Sequence, residues 1–308
     1  LLRTISDQGD TVIHMDYGCD LNKVDLSNMK LCIKGKNIEM NSSYMNGIHL
    51  KNCELSDVHI NQSDFTKATI KETTFKNSSI DDTKFDYAKI LNSSFDDVAI
   101  SDSFFIKTVV VKTTFNNLEL NNVDLYFFTK QVTFDNTKLI NINLSNSSHY
   151  YTDFKHTKLI DVKFMRSHIH FSKFIDVELI KTTLFKSILK NVCFTNSFMN
   201  VVLFAEANIT DSNFSESELI NISFNDSIIH NCNFSNISFT YVTFTNANIS
   251  TVNFSGAKFT SVSFKNANIS GSNFINATYK NDNGDYIYVD DSYLKDAIYD
   301  NDNPPILK

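Results

Sequence analysis

Glycine and proline are nearly missing from this chain, with seven Gly and two Pro in 308 residues. Tight hairpins draw on those two residues, and ordinary proteins use several times more of both. A fold built on conventional hairpins is therefore excluded, and the turns must be made by Asn, Asp, Ser and Thr. Tryptophan is absent although Phe occurs 27 times. The five cysteines are odd in number and include no Cys-x-x-Cys pair, which argues against a disulfide framework and a zinc site. A Gly-rich phosphate loop and the His-Glu-x-x-His spacing are also missing, so no cofactor and no metal are expected. No run approaches the roughly 20 apolar residues of a membrane helix. The opening Leu1-Leu2-Arg3-Thr4-Ile5-Ser6 is too short and too polar for a secretory signal. No Met opens the chain, and a processed or trimmed piece of a longer protein is the expectation.

What the chain has instead is a period of five. From Phe134 to Tyr279 every fifth residue is large and apolar, thirty consecutive quintets broken only by His149. The residue two before is small or β-branched (Ala207, Cys232, Val242, Ala267), and the one between is usually polar, as in Ala267-Asn268-Ile269. A second block in another frame adds eighteen quintets, from Met40 and Met45 through Phe65, Phe75, Phe85, Phe95, Phe105 and Phe115 to Leu125. A short third block opens the repeat with Cys19-Asp20-Leu21, Val24-Asp25-Leu26 and Met29-Lys30-Leu31. One-residue frame slips near 32–40 and 126–134 separate the blocks. Cys19, Cys53 and Cys232 fall on small-residue slots and are expected to be small buried hydrophobes.

Period five fits neither the 3.6 of a helix nor the 2 of a flat strand. It fits a chain that turns a corner every five residues, so that four corners close a square coil of twenty. The large residue and the small one two before it point inward. Fifty-one quintets over residues 19–280 give about thirteen coils, on the order of 60 Å at ~4.8 Å per coil. Phe alternates with Ile or Leu, a period of ten that places Phe on two opposite faces and fills the interior with aromatic and aliphatic ladders. His149, in an inward slot beside Tyr150-Tyr151, predicts a local bulge.

The motif small-[Asp/Asn]-[Leu/Phe]-X-X is that of the pentapeptide-repeat family, which this sequence resembles over more than four fifths of its length. The resemblance implies an all-β fold, a right-handed quadrilateral β-helix. Residues 1–18 then form a leader or N-terminal cap, and residues 281–308 form a C-terminal cap or a linker to a further domain. In that exit, Asn283-Gly284-Asp285 signals a hairpin turn into Tyr286-Ile287-Tyr288-Val289. Asp290, Asp291 or Ser292 is placed to cap a short helix through Tyr299, and Pro304-Pro305 stops it. Seven Asp against two Lys give the exit a net −5 of the whole chain's −7.

Residues twenty apart should stack. His156 is therefore expected beside Asp176, and Asp153/Lys173, Lys158/Glu178 and Asp161/Lys181 as surface ion pairs. Residues 151–190 carry eight basic side chains against four acidic ones. Lys163, Arg166, His168, His170 and Lys186 are the candidate docking residues there, suited to an acidic partner surface. Tyr286, Tyr288 and Tyr293 are the candidates in the exit. No motif sets a Ser or Cys nucleophile beside a His, so no catalytic residue is expected. The many Asn-x-Ser/Thr sites, such as those at Asn41 and Asn77, follow from the repeat composition rather than from glycosylation.

Three function classes compete. The first is a non-catalytic protein-interaction scaffold. The layout of leader, repeat and non-repeat exit resembles the β-helix domain of bacterial type III secreted effectors, including a branch with a HECT-like E3 ubiquitin ligase domain. That resemblance implies synthesis in a bacterial cytoplasm, secretion into a host cell, host protein partners, and a rod that recruits substrate. The second is a DNA mimic that inhibits or protects DNA gyrase, which asks for acidity along the whole rod. The third is a polymer-degrading enzyme, which asks for long loops around a cleft. Nucleic-acid binding would require a basic stripe, and the net charge argues against one.

Overall fold

The computed structural model describes residues 2–7, 10–15, 20–299 and 302–307. Cys19 and parts of the expected leader lie outside the described residues. All regular structure among those described is β-strand, most strands being three residues long. The reason is the quintet. The large residue and the small one two before it are buried, and their neighbours face out, as in the burial pattern of residues 61–70. A three-residue strand centred on the large residue is all that one side of the coil accommodates.

The corners explain the missing glycine. Almost every quintet places one residue at positive φ, between 44° and 61°, and more than half of these non-glycine residues are Asn or Asp. Those two tolerate the left-handed region that costs other L-residues roughly 1–2 kcal/mol. Their amides also bond along the axis: Asn117 donates to Asp97 at 3.0 Å, and Asn136 donates to Asn117 at 2.7 Å. Where Ser or Thr takes a small slot, its hydroxyl can reach a backbone carbonyl, as Ser63 does with Met40 at 2.7 Å. Val201 breaks the corner rule, with φ 57° on a β-branched, exposed side chain. Val201→Asn should therefore raise stability by about 0.5–1 kcal/mol, part of the ~1–2 kcal/mol left-handed penalty. A denaturant midpoint that falls instead, at constant m-value, would contradict this.

The chain divides into two units, Leu1–Asp153 and Phe154–Lys308, each holding six complete coils. In the first unit, Met40, Ile60, Ile80, Ile100 and Leu120 line the first side. Phe65, Phe85 and Phe105 line the second, and Leu50, Ile70, Ile90 and Val110 the third. Phe75, Phe95, Phe115 and Phe134 line the fourth. Phe thus occupies two opposite sides, as the period of ten requires. Ring centroids of successive Phe lie 4.7–5.1 Å apart. Upstream, Leu2–Asp7 pairs antiparallel with Asp10–Met15, and the latter runs parallel to Lys30–Lys36.

Both frame slips prove to be four-residue steps. Leu31 pairs with Leu50, nineteen residues on, whereas Gly35 pairs with Leu55, twenty on. Likewise Val110 pairs with Thr129. Neither step contains a positive φ, so the residue dropped is the left-handed corner. The sequence frame shifts while the stacked columns stay in place, and Gly35 and Thr129 take inward slots that hold large apolar residues elsewhere.

The expected bulge at His149 is absent. Ser148–Tyr150 pairs regularly with Phe128–Lys130, because His149 is satisfied in place. Its Nδ1 lies 2.8 Å from the Thr129 hydroxyl and its Nε2 lies 3.0 Å from the Ser147 hydroxyl. Thr129 also meets Thr152 at 2.7 Å. Phe127, in a small-residue slot, fills the volume that Thr129 leaves and sets its ring edge-on to the imidazole at 5.6 Å. The interior there is filled but for a void of about 20 Å³ among Phe105, Val110, Phe115, Leu125 and Phe127.

In the second unit, Phe154, Phe174, Phe194, Phe214, Phe234, Phe254 and Phe274 form one ladder with centroids 4.6–5.5 Å apart. Phe204, Phe224, Phe244 and Phe264 form the opposite one. The two ladders meet edge-to-face across the interior at 5.9–6.3 Å. Such contacts add about 0.5–1.5 kcal/mol beyond area burial.

The C-terminal segment caps this unit. Tyr286–Tyr288 pairs antiparallel with Thr278–Lys280 around a turn containing Gly284. The amides of Ile269 and Phe274, open at the last coil, donate to the carbonyls of Ile298 and Ile306 at 2.8 and 2.7 Å. Val289 and Leu294 are buried beneath. The short helix expected through Tyr299 does not form among the described residues. Asp290 caps a single turn, accepting from the Tyr293 amide at 2.9 Å and the Ser292 hydroxyl at 2.8 Å. The chain must then extend so that Ile298 can pair beside Asn268.

Candidate functional site

The basic stretch resolves into a corner and the side that follows it. Arg166 and Lys186 occupy the same left-handed corner in successive coils, and His168 and His170 flank the inward Ile169 on the next side. Lys163 stands exposed on the side before the corner. Much of the positive charge is already answered. Lys186 binds Glu206 at 3.1 Å and lies over the Phe185 ring at 5.0 Å. Lys158 binds Glu178 at 2.6 Å, and His156 approaches Asp176 at 3.9 Å. The expected Asp161/Lys181 ion pair is not among those formed by the described residues. The two rings of His168 and His170 lie 6.1 Å apart. Partial burial, then the charges of His168 and Lys190, hold the His170 imidazole below its ordinary pKa. Exposed pairs of this kind contribute about 0–1 kcal/mol each, so this corner is a solvated surface with Arg166 and the two imidazoles as its distinctive groups.

The exit places its tyrosines differently from one another. Tyr286, Ile287 and Tyr288 are all exposed, Tyr288 at 70%. Among the described residues their strand pairs on one edge only, and Tyr288 also borders a cleft of about 640 Å³ lined by Ile275, Asn276, Val289, Asp290, Asp291 and Leu307. Tyr293 is instead half-buried in the cap. Its ring stacks on Tyr279 at 4.2 Å and its hydroxyl donates to the Val262 carbonyl at 3.3 Å. Burial, then the neighbouring Tyr279, push its phenol well above the usual range. It closes the last coil because that coil's aromatic floor needs a cover.

Cys53 and Cys232 are buried as expected, and burial pushes both thiols up to about 12. A thiol so placed is not a nucleophile.

One surface escaped the reading of the sequence. On the third side of the first unit the outward residues are His49 and Lys51, then Thr69 and Lys71, then Lys89 and Leu91. Lys30 precedes them and Lys130 follows, beyond Val109 and Val111. From Lys30 to Lys130 the outward positions of this side hold no carboxylate. The first side, opposite, has Glu39, Asp81 and Glu119. Lys51 and Lys71 stand at the plain twenty-residue spacing, and the two four-residue steps bring Lys30 and Lys130 onto the same side.

A closed square coil with two inward residues per side, left-handed corners and a capped end defines a right-handed β-helix of the pentapeptide-repeat class. The chain carries that repeat, and residues 207–283 match the family described as the pentapeptide repeat region. Among solved structures it is similar to HetL, a pentapeptide repeat protein involved in heterocyst differentiation regulation from the cyanobacterium Nostoc sp. The identity is 13% over 72% of this chain and 93% of that one, with a TM-score of 0.30. It is also similar to a trypsin-treated form of QnrB1, a plasmid-mediated fluoroquinolone resistance protein (14%, 59% and 89%, TM-score 0.38). A pentapeptide repeat protein of the Arabidopsis thaliana thylakoid lumen is 23% identical, over 34% of this chain and 63% of that one (TM-score 0.25). No curated protein matches the chain.

Proposed function

We propose that the protein is a non-catalytic scaffold that docks a protein partner at the capped end of its second unit. One observation carries this reading. The strand Tyr286–Tyr288 exposes all three of its side chains, an aromatic pair around an Ile, beside a cleft of about 640 Å³. A strand paired on one edge invites another, and addition of a partner strand is a recurrent mode of peptide recognition. Tyrosine at such a place supplies area and a hydrogen bond at low entropic cost. The layout of leader, repeat and non-repeat exit supports placing this scaffold in a bacterial secreted effector, as the region that recruits host substrates for a ubiquitin ligase. Gyrase mimicry is the weaker reading, since it asks for acidity along the β-helix and the third side of the first unit has the opposite sign.

A photo-crosslinking residue at position 288, compared with one at Tyr241 elsewhere on the same unit, tests the reading. A specific adduct should form only at 288, and Tyr288→Ala should weaken capture of that partner at least tenfold, as for an interface hot spot. Identical adducts from the two positions would remove the basis for this surface.

A further inference from the structure

We propose that the third side of the first unit is a peripheral docking surface for a bilayer bearing anionic headgroups. The proposal is independent of the partner site at the capped end. Lys51 and Lys71 are direct partners in adjacent strands, and Lys89 follows beside Thr69. Strands ~4.8 Å apart bring these like charges together, an arrangement that costs stability. Glu72, at the corner beyond, binds Lys71 at 3.2 Å. A hollow of about 210 Å³ opens among Lys30, His49, Lys51, Thr69 and Lys71, and is of a size to seat an anionic headgroup.

Farther along the same side, apolar and aromatic groups join the cations. Phe128 is exposed and lies 5.8 Å from the Tyr150 ring. Tyr126 is exposed at the adjoining shortened corner, where a notch of about 180 Å³ opens between Lys107 and Asn146. Lysines to meet headgroups and aromatic rings to enter the boundary below them are the two components of interfacial attachment.

The charge is spread in two dimensions, and this selects the occupant. Lysines stand in both columns of the side and also at its flanking corners, Lys67 and Lys107 before it and Lys112 after it. A single polyanionic strand meets one such line, whereas a planar anionic surface meets all of them at once. None of these cations is Arg. Lysine offers a mobile point charge rather than the rigid fork that reads bases or clamps a carboxylate. The carboxylates Glu39, Asp81 and Glu119 project from the opposite side of the coil, away from a surface docked here.

Co-sedimentation of the full chain with phosphatidylcholine vesicles, with and without phosphatidylserine, tests this. Binding should require phosphatidylserine and fade as salt rises. Lys51→Gln and Lys89→Gln should each weaken partition about fivefold, the effect of one lysine near an anionic surface. Phe128→Ser should weaken it further. Lys138→Gln, on the opposite side, should leave it unchanged. All four replace exposed side chains, and denaturation midpoints that do not fall will show that the fold is kept. No dependence on phosphatidylserine, equal loss in Lys138→Gln, or tighter capture by single-stranded DNA or polyglutamate than by the vesicles would each overturn the proposal.

Discussion

Acidification from pH 6.5 towards pH 3 is expected to cost the first unit about 4–5 kcal/mol through His149 alone. The imidazole is fully buried, and burial lowers its pKa from 6.5 to about 3. A histidine with a depressed folded pKa stays neutral in the fold while the unfolded chain takes up a proton. Stability is therefore whole above the unfolded value and falls as pH drops, by about 1.4 kcal/mol per unit, until the folded value is reached. Urea midpoints at pH 7.5 and 4.5, taken for the protein and for His149→Leu, isolate this effect, because every carboxylate is common to both. At pH 7.5 the variant should be less stable by about 1–3 kcal/mol, since Thr129 and Ser147 lose a buried partner. At pH 4.5 the gap should close or reverse. Equal pH slopes in the two proteins would mean that His149 is not held neutral by its surroundings.

Removing one ring from the second unit's ladder should be equally costly. Phe214 lies 4.7 Å from both Phe194 and Phe234 and is fully buried. Phe214→Ala is expected to lower stability by about 3–5 kcal/mol. The site cannot collapse to fill the gap, because the strands around it are held in register by the coils on either side. Phe214→Leu should cost less than about 1.5 kcal/mol, and Glu216→Ala, exposed in the same coil, under about 0.5 kcal/mol. Chemical denaturation of the three variants separates these values. A loss below about 1 kcal/mol for Phe214→Ala would mean that the stacked rings are not what holds the coil.

The ladder was legible because period five is a strong constraint: each inward slot repeats the same demand on size and polarity. From it follow the paired Phe sides, the burial of Cys53 and Cys232, and the inward place of His149. What happens at His149 was not legible. Its partner Thr129 reaches the same column only through the step that drops a corner, and the exchange of size between Phe127 and Thr129 has no pattern in a list of apolar residues. Gly35 is hidden in the same way. The basic side was hidden for a related reason. Lys51, Lys71 and Lys89 look scattered among acidic neighbours along the chain, and only folding into coils sorts them by face. The cap was half legible. The alternation of Tyr286–Val289 announced its strand, but the fate of Tyr293 depends on the aromatic floor of the last coil, which no local signal encodes.

The two shortened corners also say how such a chain can change length over evolutionary time. A residue lost at a left-handed corner leaves every column of the first unit aligned, as Leu31–Gly35 and Leu125–Thr129 show. A whole coil gained or lost would do the same, since each coil meets its neighbours through like positions. A codon lost inside a strand would instead turn every later inward residue outward until the next corner. Two changes of length therefore keep the columns aligned, the loss of one residue at a corner and the gain or loss of one complete coil.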